Sequence, residues 1–128
     1  MLVAAVLLAL LASGCGDRAS TATTVTIGIH HSKFGPEILT VHAGEPVTIT
    51  LENDDPIELE WIVGDDGVHR RHRDGTEPYH DTISSEVTLP PLSAKTTTVT
   101  FDTPGEYQYI CHLPGHEAYG MRGVIRVR

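Results

Sequence analysis

The chain has 128 residues, two cysteines and a formal net charge of −8 at pH 7. This length suits one domain with a hydrophobic core and is too short for two. The acidic balance leaves no basic stripe that could neutralise phosphates, so we expect no nucleic-acid partner, and it favours encounter with a positively charged protein.

The chain begins with an apolar run over residues 1–12, followed by small residues that end at Cys15. The run is shorter than the about 20 apolar residues that a membrane-spanning helix needs, and it is typical of a secretory signal peptide. The small residues before Cys15 resemble a bacterial lipoprotein cleavage site, where the cysteine is lipidated and becomes the N-terminus. We therefore predict a signal peptide over residues 1–15 and a lipid anchor on the extracytoplasmic face of the cell membrane. An ordinary secretory signal, in which Cys15 has no role, is the alternative.

Residues 16–24 are small and polar, which predicts a flexible tether with a reach of roughly 30 Å. From residue 25 to residue 128 the sequence predicts one domain, in which apolar residues recur at every second position and Gly or Pro separates the segments. These segments are residues 24–30, 38–42, 47–52, 57–63, 87–89, 96–101, 107–111 and 123–127. Such a pattern, without a convincing amphipathic helix, predicts an all-β sandwich. The polar residues 65–81 are predicted as a long loop, with a helical turn as a further option, and such a loop is often a functional feature in a small domain.

Three candidate metal ligands lie near the C-terminus: Cys111, His116 and Met121, separated by five residues each. A thiolate at a strand end, an imidazole on the following loop and a thioether at the next strand can converge on one ion. Soft sulfur ligands and imidazole favour copper, in a trigonal site with a weak axial methionine. Cys111 also lacks a disulfide partner if Cys15 carries lipid, and a free thiol in an oxidising compartment is either buried or bound to metal. A small buried hydrophobic residue is the alternative role for Cys111.

The sequence Cys111-His112-Leu113-Pro114-Gly115-His116 resembles the copper loop of azurin-like cupredoxins, the blue (type 1) copper proteins that include plastocyanin. The spacing from Cys111 to Met121 is similar to that of rusticyanin, auracyanin and sulfocyanin. The resemblance covers nearly the whole domain. It implies a Greek-key β-sandwich of about seven or eight strands, one copper ion and single-electron transfer by a monomer. By the same resemblance, the electron would leave through the imidazole edge of His116, ringed by Leu113, Pro114, Ala118 and Tyr119, and the partner would be a redox or copper-donor or copper-acceptor protein at the membrane surface.

One position departs from the family pattern. Cupredoxins take a second histidine ligand from an earlier strand, and the register places that position at Leu59, with Glu60 on the opposite face. In a first account His69, His72 or His80 replaces it and restores electron transfer; His112 is a poor candidate, because the neighbour of Cys111 on a strand should point away. In a second account Cys111, His116 and Met121 alone favour Cu(I), which predicts a high-potential electron carrier or a cuprous-copper carrier. A third account is a copper-free binding module.

No group of residues in the sequence combines a nucleophile with a neighbouring base, and no second copper cluster is visible, so we expect no enzymatic activity. His30 and His31 are predicted as ordinary surface imidazoles, because adjacent strand residues face opposite ways.

Overall fold

Two β-sheets make up most of this computed structural model, which describes residues 23–128. The signal peptide predicted for residues 1–15, Cys15 with its lipid, and nearly all of the tether at residues 16–24 lie outside the described residues. Within the described range, no helix combines the length and the apolar character that crossing a membrane requires.

Nine strands and two helices follow one another between residues 23 and 128: β1 (Thr23–Ile29), β2 (Phe34–Gly35), β3 (Ile38–Val41), β4 (Pro46–Asn53), β5 (Leu59–Gly64), α1 (Asp66–Asp74), β6 (Glu86–Leu89), β7 (Ser93–Thr100), β8 (Gly105–Ile110), α2 (His116–Tyr119) and β9 (Arg122–Val127). One sheet has the strand order β2-β1-β4-β7, and the other has the order β3-β9-β8-β5-β6. Strand β1 is parallel to β4 and β3 is parallel to β9, whereas the remaining neighbours are antiparallel. The predicted all-β sandwich is confirmed. The strand β2 matches none of the eight predicted segments, because its two residues are too few to show apolar alternation.

The core fills the space between the sheets, and strand alternation explains its composition. In β4, Val47, Ile49 and Leu51 have no exposed surface, while the intervening threonines lie nearer to solvent. In β5, Leu59 and Trp61 are likewise fully buried. Burying an aliphatic side chain of this size contributes about 1.5–3 kcal/mol, so the inward faces of these strands fix their register.

Ile57 does not share the buried face of β5, and this prediction from the sequence is wrong. Ile57 precedes the strand and is 45% exposed. Its carbonyl oxygen accepts a hydrogen bond of 2.9 Å from Nδ2 of the buried Asn53, which also donates to the carbonyl oxygens of Leu89 and Pro90 at 3.3 and 2.9 Å. Asn53 therefore ties the turn before β5 to the end of β6, and Ile57 belongs to this turn rather than to the strand.

Helix α1 occupies the first half of residues 65–81, where the sequence predicts a loop, and this is a correction. Its boundaries have clear physical causes: Asp65 accepts a hydrogen bond of 2.9 Å from the Val68 amide as N-cap, and Gly75 adopts the left-handed conformation at the C-cap with φ of 65°. Asp66 in the first turn and basic residues in the last turn also complement the helix dipole. The residue of α1 that is fully buried is His69, so no apolar stripe marks this helix in the sequence.

Candidate metal centre

The three predicted ligands lie on one short segment that joins β8 to β9. Cys111 directly follows β8, His116 begins α2, and Met121 directly precedes β9. The Cys111 amide donates to the Met121 carbonyl at 3.2 Å, and the Met121 amide donates to the His116 carbonyl at 3.0 Å. Gly115 and Gly120, with φ of 83° and 99°, make the sharp turns on either side of α2. The backbone therefore holds the three residues around one closed loop, residues 111–121, which we call the Cys111 loop.

The three predicted ligands offer two sulfur atoms and one imidazole. Cys111 and Met121 are fully buried at the edge of the core, and Cys111 is a free cysteine. His116 is half-buried, with Nδ1 3.5 Å from Sδ of Met121. A thiol, a thioether and an imidazole nitrogen make a donor set that fits a soft copper ion.

The Cys111 thiol has an environment that resists ionisation when no metal is bound. Burial raises the pKa of Cys111, whereas hydrogen bonds from the backbone amides of Glu60 and Leu113 lower it. A bound cation deprotonates a coordinating thiol outright, so metal binding here would release a proton. The two amides would then stabilise the thiolate.

Leu59 lies where the sequence register predicts it. It is the first residue of β5, is fully buried, and belongs to the same core cluster as Cys111 and Met121. Glu60 faces the other way and accepts a hydrogen bond of 2.9 Å from the His112 amide through Oε1. Burial raises the pKa of Glu60. The inward direction of Leu59 agrees with the predicted register, and its isobutyl side chain offers no ligand atom.

The three histidines considered as replacement ligands contact other groups. His69 lies on the buried face of α1. Its Nδ1 is 2.9 Å from Nε2 of His112, and its Nε2 is 3.0 Å from the Gln108 carbonyl oxygen. His72 and His80 contact Glu77 and Glu86. In residues 23–128, none of their hydrogen bonds or ion pairs involves Cys111, His116 or Met121. The structure thus brings these histidines together on the outer side of the sheet that contains β5 and β8.

His69 and His112 also connect α1 to the predicted ligand loop. Because the Gln108 carbonyl only accepts, His69 must be protonated at Nε2, and its Nδ1 then accepts from Nε2–H of His112. Burial lowers the pKa of His69 and lowers that of His112 to about 4, so both rings are neutral at pH 7. A second connection is the pair Arg73–Glu117, with Nη2 2.6 Å from Oε1. The sequence does not predict this network, because it does not predict α1. The outward direction of His112 is the one signal in the sequence that points to the network.

The surface beside His116 is formed by two loops. Lys33 donates from Nζ to the Tyr119 carbonyl oxygen, and Nζ lies 4.2 Å from the centre of the Tyr119 ring. A shallow cavity of about 460 Å³ opens between these loops and is lined by His31, Ser32, Gly115, His116 and Tyr119. His30 and His31 are exposed, with ring centroids 3.9 Å apart. The edge of His116 therefore reaches a recessed part of the surface.

A family model and a known protein are both similar to this chain in sequence. Residues 1–127 match the family model described as Cupredoxin-like domain. The chain is 26% identical over 117 residues to the copper-resistant cuproprotein CopI of Rubrivivax gelatinosus, covering 88% of this chain and 71% of CopI.

Two solved auracyanin structures have a fold similar to that of this chain. Reduced auracyanin from Roseiflexus castenholzii has a TM-score of 0.71 and 24% identity, covering 84% of this chain and 98% of the auracyanin. Auracyanin A, a "blue" copper protein from Chloroflexus aurantiacus, has a TM-score of 0.64 and 26% identity, with 84% and 99% covered.

Proposed function

Because this chain belongs to the cupredoxin-like family, we propose that it is a copper-binding electron carrier, rather than an enzyme, that works outside the cytoplasmic membrane. Cys111, His116 and Met121 would hold one copper ion, which supplies a one-electron couple between Cu(II) and Cu(I). The observation that carries this proposal is the closed loop in which Cys111 and Met121 are fully buried and Nδ1 of His116 lies 3.5 Å from Sδ of Met121.

The surroundings of these residues suit electron transfer. The buried sulfurs of Cys111 and Met121 are shielded from water, while the half-buried His116 extends towards the surface beside the exposed Tyr119. The hydrogen-bonded loop and the contacts from α1 hold the ligands in place, which keeps the reorganisation during electron transfer small. The net charge of −8 favours a positively charged redox partner. A lipid on Cys15 would keep the domain, as a monomer, at the extracytoplasmic face of the membrane.

Leu59 supports a second candidate function, the carriage of cuprous copper. With a leucine at this position, the predicted ligands Cys111, His116 and Met121 supply two sulfurs and a single imidazole, and such a set favours Cu(I) over Cu(II). The relative CopI is named as a copper-resistant cuproprotein. A cuprous carrier would use the same three ligands but would deliver the ion rather than the electron.

Titration of the purified chain with Cu(II) and, separately, with Cu(I) tests both candidates. Electron transfer predicts an intense thiolate-to-copper absorption band and an electron paramagnetic resonance signal that disappear reversibly on reduction. Cuprous carriage predicts tight Cu(I) binding without colour. Both candidates predict that Cys111→Ser abolishes tight copper binding, whereas Cys15→Ser, which removes the other thiol, leaves it unchanged. Unchanged copper affinity in Cys111→Ser would show that the site is misassigned.

A further inference from the structure

A second group of potential ligands lies far along the chain from the Cys111 loop. His72 is on α1, Glu77 and His80 lie between α1 and β6, and Glu86 begins β6. One ligand atom each from His72, Glu77 and Glu86 lies within 4.8 Å of the other two. Nε2 of His80 is 3.2 Å from Oε2 of Glu86 and 3.9 Å from Oε1 of Glu77. We call these four residues the outer histidine cluster.

The two imidazoles of the outer histidine cluster are oriented as metal ligands are. Nδ1 of His72 is 3.0 Å from the Val68 carbonyl oxygen, and Nδ1 of His80 is 2.8 Å from the Asp81 carbonyl oxygen. A carbonyl oxygen only accepts, so each Nδ1 donates to its carbonyl, and Nε2 of each ring is the atom that faces the Glu86 carboxylate and can bind metal. Metal-binding histidines characteristically donate their other N–H to a carbonyl or carboxylate, which fixes the tautomer and the ring direction.

Two nitrogen-to-oxygen distances within the cluster are close to those between neighbouring ligands of one ion. Nε2 of His72 lies 3.6 Å from Oε1 of Glu86, and Nε2 of His80 lies 3.2 Å from Oε2 of the same carboxylate. Nitrogen and oxygen ligands bind zinc at about 2.0–2.2 Å, so neighbouring ligands of a tetrahedral ion are roughly 3.3–3.6 Å apart. The two imidazole-to-carboxylate distances therefore need only small adjustments to surround an ion.

From this geometry we propose that His72, Glu77, His80 and Glu86 bind a divalent transition-metal ion, Zn(II) or Cu(II), at a site that shares no residue with the Cys111 loop, although the His72 ring stacks on His112. Two carboxylates balance the charge of such an ion, and any proton on an imidazole Nε2 is released when the ion binds there. Arg71 holds Oε2 of Glu77 through Nε at 2.8 Å, which leaves Oε1 directed to His80. The ligand side chains are 13–34% exposed, and a groove of about 570 Å³ beside His80 and Glu86 gives an ion access.

The chemistry of this cluster differs from that of the predicted copper loop. Imidazole and carboxylate suit divalent zinc and copper, whereas the thiol and thioether of Cys111 and Met121 suit Cu(I). A bound ion would also fasten the segment between α1 and β6, which has no regular secondary structure over residues 75–85, to both elements. The proposal does not depend on whether the Cys111 loop binds copper.

Isothermal titration of the full chain carrying Cys111→Ser with Zn(II) tests the proposal, because this variant lacks the competing thiolate. We expect one zinc ion per chain, and we expect His80→Gln and Glu86→Gln each to weaken zinc binding at least tenfold. The matched controls are His42→Gln and Glu52→Gln, an exposed histidine and an exposed glutamate in other parts of the fold. Both should bind zinc as the parent does.

A second measurement identifies the ligands directly. Zinc X-ray absorption on the same Cys111→Ser chain, loaded with one equivalent, should show a shell of nitrogen and oxygen that includes imidazole. Absence of zinc binding in the parent, equal affinity in Glu86→Gln and Glu52→Gln, or a shell without imidazole would each overturn the proposal and leave the cluster as ion pairs only. His80 and Glu86 lie at the surface and at a strand end, and circular dichroism of each variant verifies folding before titration.

Discussion

Replacing Leu59 by histidine is the most informative perturbation of the Cys111 loop, because it restores the imidazole that the family pattern places there. Leu59 is fully buried in the same cluster as Cys111 and Met121. In the metal-free chain the substitution should destabilise the fold: losing the buried leucine costs about 1.5–3 kcal/mol, and leaving a buried polar ring without a partner costs about 1–3 kcal/mol.

The size of the effect follows from these terms. A part of the apolar loss is offset by burial of the imidazole carbon atoms, and we expect a net destabilisation of about 3 kcal/mol. At roughly 4–8 °C per kcal/mol for a domain of this size, the Tm of the metal-free variant should fall by about 15 °C. Copper at a hundred times its Kd should return about 2.7 kcal/mol, which nearly cancels the loss.

Thermal melts with and without Cu(II), combined with visible absorption, measure both effects. Leu89→His is the matched control, because Leu89 is the register partner of Leu59 on β6 and is also fully buried. We expect both variants to be destabilised and only Leu59→His to recover with Cu(II) and gain an intense absorption band. Leu59→Met, which conserves volume at a cost below about 1.5 kcal/mol, should fold well and tighten Cu(I) binding. Equal responses of the two histidine variants, or no new band in Leu59→His, would refute the assigned position of Leu59.

Three further predictions concern the scaffold around the loop. Burial lowers the pKa of His69, so below about pH 6.5 the unfolded chain binds more protons than the folded chain. The stabilisation from neutral His69 is fully present above that pH, and the free energy of unfolding should therefore decline as the pH falls towards the depressed pKa, by up to about 1.4 kcal/mol per pH unit. In urea titrations at several pH values, His69→Gln should reduce this dependence of stability on pH. An unchanged dependence would contradict this account. Asn53→Ala should lower the free energy of unfolding by about 2–3 kcal/mol, because it removes the donor to three carbonyl oxygens, whereas Thr50→Val on the outer face should change it by less than about 0.5 kcal/mol. Arg73→Ala should change the free energy of unfolding by less than about 1 kcal/mol, since Arg73 is exposed. It should nevertheless speed amide hydrogen exchange in α2, which contains its partner Glu117. Unaltered exchange would mean that the pair Arg73–Glu117 does not restrain the Cys111 loop.

Strand alternation explains why the sandwich and the position of Leu59 could be predicted from the sequence. Val47, Ile49 and Leu51 alternate with threonines, so the buried face of β4 is visible in the sequence itself. The same period of two places Leu59 inward and Glu60 outward. These are local patterns, and each is fixed by burial of one face of a strand.

Helix α1 and the outer histidine cluster could not be predicted in the same way. The fully buried residue of α1 is a histidine that pairs with His112, which lies 43 residues away in sequence, so no apolar period marks the helix. Asp65 and Gly75, at its two ends, were the available signals. The cluster draws His72, His80 and Glu86 from different elements, and their proximity depends on how α1 folds back onto the sheet.

Trp61 has an optical consequence that follows from its place in the core. It is the single tryptophan of the chain and is fully buried, and its indole Nε1 has no hydrogen-bond partner within residues 23–128. Trp61 belongs to the same core cluster as Cys111 and Met121. An indole in such dry, apolar surroundings emits at unusually short wavelength, and energy transfer to a nearby coloured metal centre quenches its emission. The chain therefore contains its own fluorescent reporter, which is sensitive both to the integrity of the core and to what occupies the Cys111 loop.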